Sequence, residues 1–265
     1  MLLSFFHSRL SKLITWLWIC PLILLLSMPF IVLLSSIPHL AIFWNEDHAQ
    51  TSTLTALVLS LKTSTFSTLL ILLLGTPMAW LLAHLQETWA NFWKIVLIIP
   101  MFLPPSIVGV SLLSAFHQDG LLSTWLPWMS TIPFSTWAVI CAQVTVSAPL
   151  YILGSLATFK KYDPALMEMA RTLGLNAQQT WLKVTLPLTL PGLLIALSLA
   201  WSRSLGEFGA TLLFAGHLPG VTQTAPLAIY LELDRGTEGA LALSLALILC
   251  ALPILGSLLW LGRTK

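Results

Sequence analysis

Six long apolar runs decide which folds are open to this chain. They cover residues 13–37, 61–83, 94–116, 135–157, 190–214 and 240–262. Each run has the roughly 20 apolar residues that an α-helix needs to cross a bilayer, whereas the strands of a membrane barrel alternate over about ten residues. Only 8% of the residues are charged, against about 25% in soluble domains. The sequence therefore predicts an all-α integral membrane protein with six transmembrane helices.

Basic residues are distributed unequally among the segments that join these runs. If the N-terminus is cytoplasmic, the outer segments carry only Arg235. The inner segments then carry Arg9, Lys12, Lys94, Lys160, Lys161, Arg171, Lys183, Arg263 and Lys265. Because basic residues are retained on the cytoplasmic side, both termini are predicted to be cytoplasmic. Lys62 is predicted to begin the second span at the outer face, where its long stem can reach the headgroups.

Small and hydroxyl-bearing residues recur every four positions in two of the runs. The fifth run has Gly192, Ala196, Ala200 and Ser204, and the second has Ser60, Ser64 and Thr68. Such ridges let helix backbones approach closely in a solvent that gives no hydrophobic drive for association. They favour a compact helical bundle, although each ridge alone is also compatible with ordinary membrane composition.

Prolines in three of the runs are predicted to disturb the helix. Pro100, Pro104 and Pro105 are predicted to kink or break the third span, and Pro77 and Pro149 to interrupt two others. Irregular backbone at membrane depth is tolerated only inside protein or beside a water-filled path. A solute pathway would supply that setting, which makes Pro104 and Pro105 candidate pathway residues.

The chain has none of the common signatures of catalysis. It lacks the G-x-x-x-x-G-K-[ST] phosphate loop, H-E-x-x-H and G-x-S-x-G. Its six histidines show no metal-ligand spacing, and a net charge of +2 gives no reason to expect nucleic acid. We therefore expect no enzyme, no metal site and no cofactor bound by this chain. An ion-coupled secondary carrier would need ionisable coupling groups within its spans, and a membrane enzyme would need a convergent polar site.

The segment between the fourth and fifth runs predicts a short amphipathic helix. Asp163 and Pro164 are a typical helix opening, and Gly174 supplies a C-terminal stop. The apolar face comprises Leu166, Met169, Ala170 and Leu173. This face needs a covering groove, which could belong to the chain itself, to the lipid surface or to a partner.

The same segment resembles a loop of the permease subunits of bacterial ATP-driven importers. That loop reads E-A-A-x3-G-x9-I-x-L-P, and the matching residues here are Glu168, Ala170, Gly174, Leu186 and Pro187. Met169 replaces the middle alanine and Val184 the isoleucine, and both changes keep an apolar side chain. The resemblance implies that the segment is a coupling helix that docks into a separate ATPase subunit.

Three further stretches resemble the molybdate and sulfate permease group. They are Arg203–Ala210 (R-S-L-G-E-F-G-A), Pro219–Thr224 (P-G-V-T-Q-T) and Leu103–Gly109 (L-P-P-S-I-V-G). With the coupling segment, the resemblance runs from about residue 60 to 235. The second stretch leans toward molybdate or tungstate, with sulfate or thiosulfate as the alternative substrate.

These resemblances imply an organisation and a set of partners. The importer-permease (MetI-like) bundle would occupy residues 61–262 as five core transmembrane helices, with the coupling loop at 158–187. Residues 1–60 would add an extra transmembrane helix and an outer loop. The implied partners are a dimer of cytoplasmic ATPase subunits that hold ATP and Mg, an extracytoplasmic oxyanion-binding protein and a second permease copy in the bacterial inner membrane. The outer loop 217–239 is expected to dock the binding protein and to form a shallow interfacial helix.

Arg203 and Glu207 stand four residues apart in the fifth run, which predicts that they share one helix face near mid-depth of the membrane. A charge there costs at least about 2.5–3.5 kcal/mol on insertion scales. The two side chains could form an ion pair that locks the bundle, or Arg203 could line the pathway and attract an oxyanion. Both residues are therefore gate candidates.

Overall fold

The computed structural model describes residues 9–35, 37–38, 47–162 and 165–262, and these residues form helices and turns without any strand. A 3-10 turn covers Pro127–Thr131 and a π-helical turn covers Trp181–Thr185. The α-helices within the described ranges are α1 (Arg9–Ser35), α2 (Asp47–His84), α3 (Glu87–Phe102), α4 (Pro105–Phe116), α5 (Leu121–Trp125), α6 (Thr136–Lys161), α7 (Ala165–Thr172), α8 (Ala177–Thr180), α9 (Leu186–Leu205), α10 (Gly209–Ala215), α11 (Ala225–Leu233) and α12 (Thr237–Leu261).

Four helical segments of the described chain are long and apolar enough to cross a membrane. They are Thr53–His84, Thr136–Lys161, Ala177–Leu205 and Thr237–Leu261. A fifth candidate is the pair Glu87–Phe102 and Pro105–Trp125, whose axes are bent by 106°. The segment Ile19–Ser35 of α1 is a shorter apolar helical segment of the described chain. The all-helical membrane fold is confirmed, and the sixth span stays a prediction.

Two predicted spans have different boundaries in the structure. Helix α2, which contains the second run, begins at Asp47 rather than near residue 61. The placement of Lys62 at the outer face stays a prediction. The fifth does not continue to residue 214, because α9 ends at Leu205 and the chain resumes as α10 only at Gly209. Gly206 caps α9 and has a low helix propensity, which favours a stop at this point.

The prolines differ in their effect on the helices. The third span breaks between Phe102 and Pro105, as predicted. The predicted interruptions at Pro77 and Pro149 are wrong, because α2 and α6 continue through them. A proline removes only one intrahelical hydrogen bond, and neighbouring helices in a membrane bundle stabilise the altered backbone. Pro149 is buried among such neighbours.

Helices α2, α6 and α9 pack together as the centre of the bundle. The small-residue ridge of α9 forms part of this contact, since Ala196 and Ala200 are buried against α6 and α2. A Cβ atom added to Gly154 would lie 2.9 Å from Cβ of Ala196. One added to Gly192 would lie 2.4 Å from Oγ1 of Thr158. The backbones of α6 and α9 therefore approach more closely than larger residues would allow.

Hydroxyl groups fill the contact between α2 and α6. The Ser67 hydroxyl donates to Oε1 of Gln143 at 2.8 Å, and Nε2 of Gln143 donates to Oγ1 of Thr63 at 3.3 Å. These three side chains are fully buried. The predicted ridge on α2 is buried as well, and Oγ of Ser60 accepts a hydrogen bond from the backbone N–H of Ala225 at 2.6 Å. Hydrogen bonds between helices thus contribute to an association that the hydrophobic effect does not drive in lipid.

The outer segment 217–239 contains the expected helix in a different setting. Helix α11 buries Leu227 completely and packs against Leu57 of α2 and Leu243 of α12 through a shared apolar cluster. Part of its apolar surface is therefore covered by the bundle, and its shallow position at the membrane interface stays a prediction. Its outward side still exposes Tyr230 and Leu233.

The α6–α9 contact predicts that Gly192→Val destabilises the protein. The new side chain would overlap Thr158, and overpacking of this kind costs about 1–3 kcal/mol. We expect Tm in detergent to fall by several degrees. Gly256→Val is the matched control, because Gly256 also lies within a helix and a Cβ there meets nothing within 4 Å. Equal Tm values for the two variants would contradict the packing.

Candidate functional site

Helix α7 presents an uncovered apolar ridge. Leu166, Met169 and Leu173 are 41%, 61% and 83% exposed, and we call these three residues the docking ridge. Ala170, the fourth residue of the predicted apolar face, is buried. Asp163 and Pro164, which were predicted to open the helix, lie outside the described residues. The structure thus partly covers α7 with its own chain and leaves the docking ridge open.

Gly174 ends α7 in a left-handed backbone conformation, with φ of +88°. Its N–H donates to the carbonyl of Arg171 at 2.9 Å, and the N–H of Leu175 donates to the carbonyl of Ala170 at 3.2 Å. This pair of hydrogen bonds is the Schellman motif. No atom lies within 4 Å of a Cβ built on Gly174. The predicted helix stop is confirmed, and the glycine is required by its backbone conformation rather than by crowding.

A capping box begins the next helix two residues later. The N–H of Gln179 donates to Oδ1 of Asn176 at 2.8 Å, and the N–H of Asn176 donates to Oε1 of Gln179 at 3.1 Å. The sequence analysis missed this feature, although the N-x-x-Q spacing was available as a signal. The stop at Gly174 and the start at Asn176 together make a short, well-defined turn between α7 and α8.

The remaining residues of the predicted coupling segment lie on α7 and at the start of α9. Glu168 is exposed on α7, and Pro187 is exposed in the first turn of α9. Leu186 begins α9 and packs against the central apolar cluster. The π-helical turn Trp181–Thr185 lies between α8 and the start of α9. The structure therefore joins α7 to the start of a transmembrane helix through an irregular turn, a type of feature that often marks functional sites.

Aromatic side chains connect α7 to the bundle. The Trp80 ring makes edge contacts with Phe159, with centroids 5.2 Å apart, and with Trp181, at 6.4 Å. These three residues, which we call the aromatic joint, come from α2, α6 and the π-helical turn. Leu166 and Met167 of α7 line the same small cavity as Trp80 and Phe159. The sequence analysis missed the joint because its members are far apart in the chain.

A partly buried ion pair lies at the break in the fifth span. Nη1 of Arg203 is 2.6 Å from Oε2 of Glu207, and the side chains are 32% and 1% exposed, respectively. Oε1 of Glu207 also accepts a hydrogen bond from the N–H of Ala210 at 2.8 Å. The expectation that both residues lie on one helix is wrong, because Glu207 follows the end of α9. Its carboxylate joins α9 to α10 by bonding to both.

The two breaks in the bundle pack against each other. A Cβ built on Gly209 would lie 3.0 Å from Cβ of Pro105, and one on Gly109 would lie 2.8 Å from the carbonyl oxygen of Ala210. Pro104 and Pro105 are exposed at the start of α4. The structure thus places the proline break beside the segment that contains Glu207, at the opposite end of α9 from Leu186.

Comparison with known proteins identifies the family. The family described as "Binding-protein-dependent transport system inner membrane component" matches residues 71–264. The chain belongs to this family. It is a multi-pass inner-membrane protein and a permease of a binding-protein-dependent importer, as the sequence resemblance predicted.

Relatives and solved structures agree with this assignment. The chain is 43% identical over 207 residues to the "Molybdenum transport system permease protein ModB" of Mycobacterium tuberculosis, a match that covers 77% of this chain and 78% of that protein. It is 36% identical over 212 residues to the Escherichia coli K12 protein of the same name. That match covers 78% of this chain and 93% of the Escherichia coli protein. A chain in the crystal structure of a bacterial ABC transporter that imports alginate has a similar fold, with a TM-score of 0.69 and 19% sequence identity. The match covers 97% of the present chain and 100% of the alginate transporter chain. This last likeness shows the fold.

The ion pair predicts a graded response to charge changes. Arg203→Glu places two carboxylates at the break and should reduce the folded fraction, since the fully buried Glu207 carboxylate loses its cation and faces a like charge. Glu207→Gln should be milder, because its amide oxygen can still accept from the N–H of Ala210. Exchanging both charges should restore the pair but not that hydrogen bond, and so recover folding only partly.

Size-exclusion chromatography of the detergent-solubilised protein measures the folded fraction in each variant. Recovery of folding without recovery of uptake in the double exchange would place Arg203 in the pathway. A wild-type profile for Arg203→Glu would contradict a structural role for the pair.

Proposed function

We propose that this chain carries a tetrahedral oxyanion, molybdate first and tungstate with it, into the cytoplasm. The relatives described above are named for molybdenum transport, and this supports molybdate over the sulfate alternative. In the proposal, alternating access of the permease is driven by a separate ATPase. The docking ridge of α7 is the single observation that carries this mechanism, because it is an apolar surface on a short helix that the chain leaves open.

The ATPase dimer is the proposed occupant of the docking ridge. An amphipathic helix binds a partner by laying its apolar face in a groove, and Leu166, Met169 and Leu173 have the spacing that this mode requires. ATP and Mg would be held by that partner, which would supply the energy of hydrolysis. The permease contributes α7, whose end is fixed by the Schellman motif at Gly174.

Movement of α7 would reach the spans through the aromatic joint. Trp80 of α2 and Phe159 of α6 line a small cavity together with residues of α7. Trp181 contacts Trp80 from the π-helical turn that precedes α9. Close-packed aromatic contacts transmit displacement because interiors are dense and only slightly compressible. A shift of α7 would therefore change the relative positions of the three central helices.

The proposal also assigns a role to the two helix breaks and names further partners. Arg203, Glu207, Pro104 and Pro105 would form the gate, where irregular backbone can rearrange without disturbing whole spans. We propose six spans with both termini in the cytoplasm, a homodimer of permeases, and an extracytoplasmic binding protein that delivers the oxyanion. A solved alginate importer that resembles this chain in fold was determined with its periplasmic protein bound.

Gly174→Val tests the docking role of α7. A side chain with a β-carbon disfavours the left-handed conformation by roughly 1 kcal/mol or more, and no neighbouring atom of this chain would be displaced. We expect the variant to insert normally but to lose most of its hold on the ATPase, and to abolish molybdate uptake. Co-purification with the tagged ATPase and an uptake assay in the same cells measure the two effects.

Gly220→Val is the matched control for ATPase binding. Gly220 has a φ of +74° and, like Gly174, has no atom within 4 Å of a built Cβ, but it lies in the predicted outer loop. This variant should retain the ATPase. If Gly174→Val also retained the ATPase and normal uptake, α7 would not be the coupling element and the mechanism would fail.

A further inference from the structure

The helix that leads into the fifth span changes its hydrogen-bond register at the π-helical turn Trp181–Thr185. Before the turn, the N–H of Trp181 donates to the carbonyl of Ala177, four residues back. At its end, the N–H of Leu186 donates to the carbonyl of Trp181, five residues back. The helical segment Ala177–Leu205 is nevertheless continuous. The turn therefore holds one residue more than an α-helix would place there.

Pro187 follows this turn and favours it. In an α-helix, the carbonyl of Lys183 would accept the N–H of residue 187, but proline has no N–H and its ring clashes with that carbonyl. Widening the preceding turn moves the carbonyl away from the ring. Pro191 lies four residues later within α9, which remains α-helical around it. A proline alone is therefore not sufficient, and the contacts on either side of the turn must also contribute.

Different contacts hold the two sides of the turn. On the side of α8, the capping box at Asn176 fixes the helix start, and the Trp181 ring packs on Trp80 of α2 with centroids 6.4 Å apart. On the other side, Ala196 of α9 is buried against α6 and α2. The extra residue is therefore accommodated between two fixed segments, where the proline makes widening least costly.

The Thr185 hydroxyl shows what the π-helical turn costs. Thr180 and Thr189 flank the turn, and their hydroxyls donate to the carbonyls four residues back at 2.9 and 2.8 Å. Thr185 is also buried, but its hydroxyl has no hydrogen-bond partner in the described part of the chain. Native structures leave few buried hydroxyls unpaired, and each one calls for an explanation. A turn that is kept at the cost of a hydrogen bond supports a role for its geometry.

We propose that Pro187 is a positioning residue that keeps this turn in the π register and so sets the direction in which α7 presents the docking ridge. An α-helix turns by about 100° per residue. If the same residues formed an α-helical turn, α7 and α8 would rotate about the α9 axis by roughly that angle. This inference rests on the proposed function and deepens it, because it assigns the proline of the coupling segment a role in orienting the ATPase contact.

A distance measurement on the permease alone tests the position of α7. Met169→Cys on α7 and Thr88→Cys on α3, both at exposed positions, are spin-labelled in a background without the three native cysteines, and the distance between the labels is measured by pulsed electron paramagnetic resonance. Pro187→Ala should shift the main distance by about 5 Å or more, since side chains lie roughly 5 Å from a helix axis. Pro191→Ala is the matched control and should leave the distance unchanged.

Deletion of Lys183 provides the rescue. Lys183 is exposed, and its removal from the Pro187→Ala variant takes out the extra residue, so that an α-helical turn would return α7 to its original direction. In proteoliposomes with the ATPase and the binding protein, Pro187→Ala should lower molybdate uptake per ATP hydrolysed by about fivefold or more, the lower end of usual couplings between sites. The deletion should recover both the distance and the coupling, which general damage to the fold would not do.

The remaining outcomes are separable. A wild-type distance and wild-type coupling in Pro187→Ala would overturn the proposal. If that variant failed to fold, Tm values would decide: Thr185→Val loses no hydrogen bond and should keep or raise Tm, whereas Thr189→Val should lower it. An equal fall in both would show that the Thr185 hydroxyl is paired, against the proposal. Wild-type vesicles without molybdate uptake would overturn the proposed function, whereas a shifted distance would still establish the positioning role of Pro187.

Discussion

Close contact between α6 and α9 is the interaction on which the rest of the bundle depends. Apolar side chains gain little by leaving lipid for protein, so helices must associate through close packing and hydrogen bonds. Gly154 packs on Ala196 and Gly192 on Thr158, which brings the two backbones together. The buried Ser67–Gln143 hydrogen bond then fixes α2 against α6. A larger residue at either glycine would push α6 and α9 apart.

The segments at the two ends of α9 differ in how regular their backbone is. At the end that is predicted to be cytoplasmic, the Schellman motif at Gly174 and the capping box at Asn176 fix the two ends of the turn after α7, and the aromatic joint packs beside this helix. At the other end, the chain breaks twice, and the Glu207 carboxylate satisfies both Arg203 and the N–H of Ala210. In the proposed mechanism, the first end would dock the ATPase and the second would rearrange as the gate.

The sequence predicted features that depend on local chemistry, and it failed where tertiary contacts decide. The spacing of Leu166, Met169 and Leu173 gave the docking ridge, and Gly174 gave the helix end, because both follow from helix geometry. Proline rules wrongly predicted a break at Pro149, where neighbouring helices hold the backbone. Nothing local showed that Glu207 would leave α9 to bond to Ala210, or that Trp80 would meet Trp181 across about a hundred residues of chain.

Site-specific photo-crosslinking tests the central claim, which is that α7 seats in the ATPase. A benzophenone amino acid at Met169, which is 61% exposed on the docking ridge, should form an adduct with the ATPase subunit in intact membranes. The same group at Trp260, 70% exposed near the end of α12, should give no such adduct, although it is predicted to lie on the same side of the membrane. An adduct at Trp260 and none at Met169 would contradict the account.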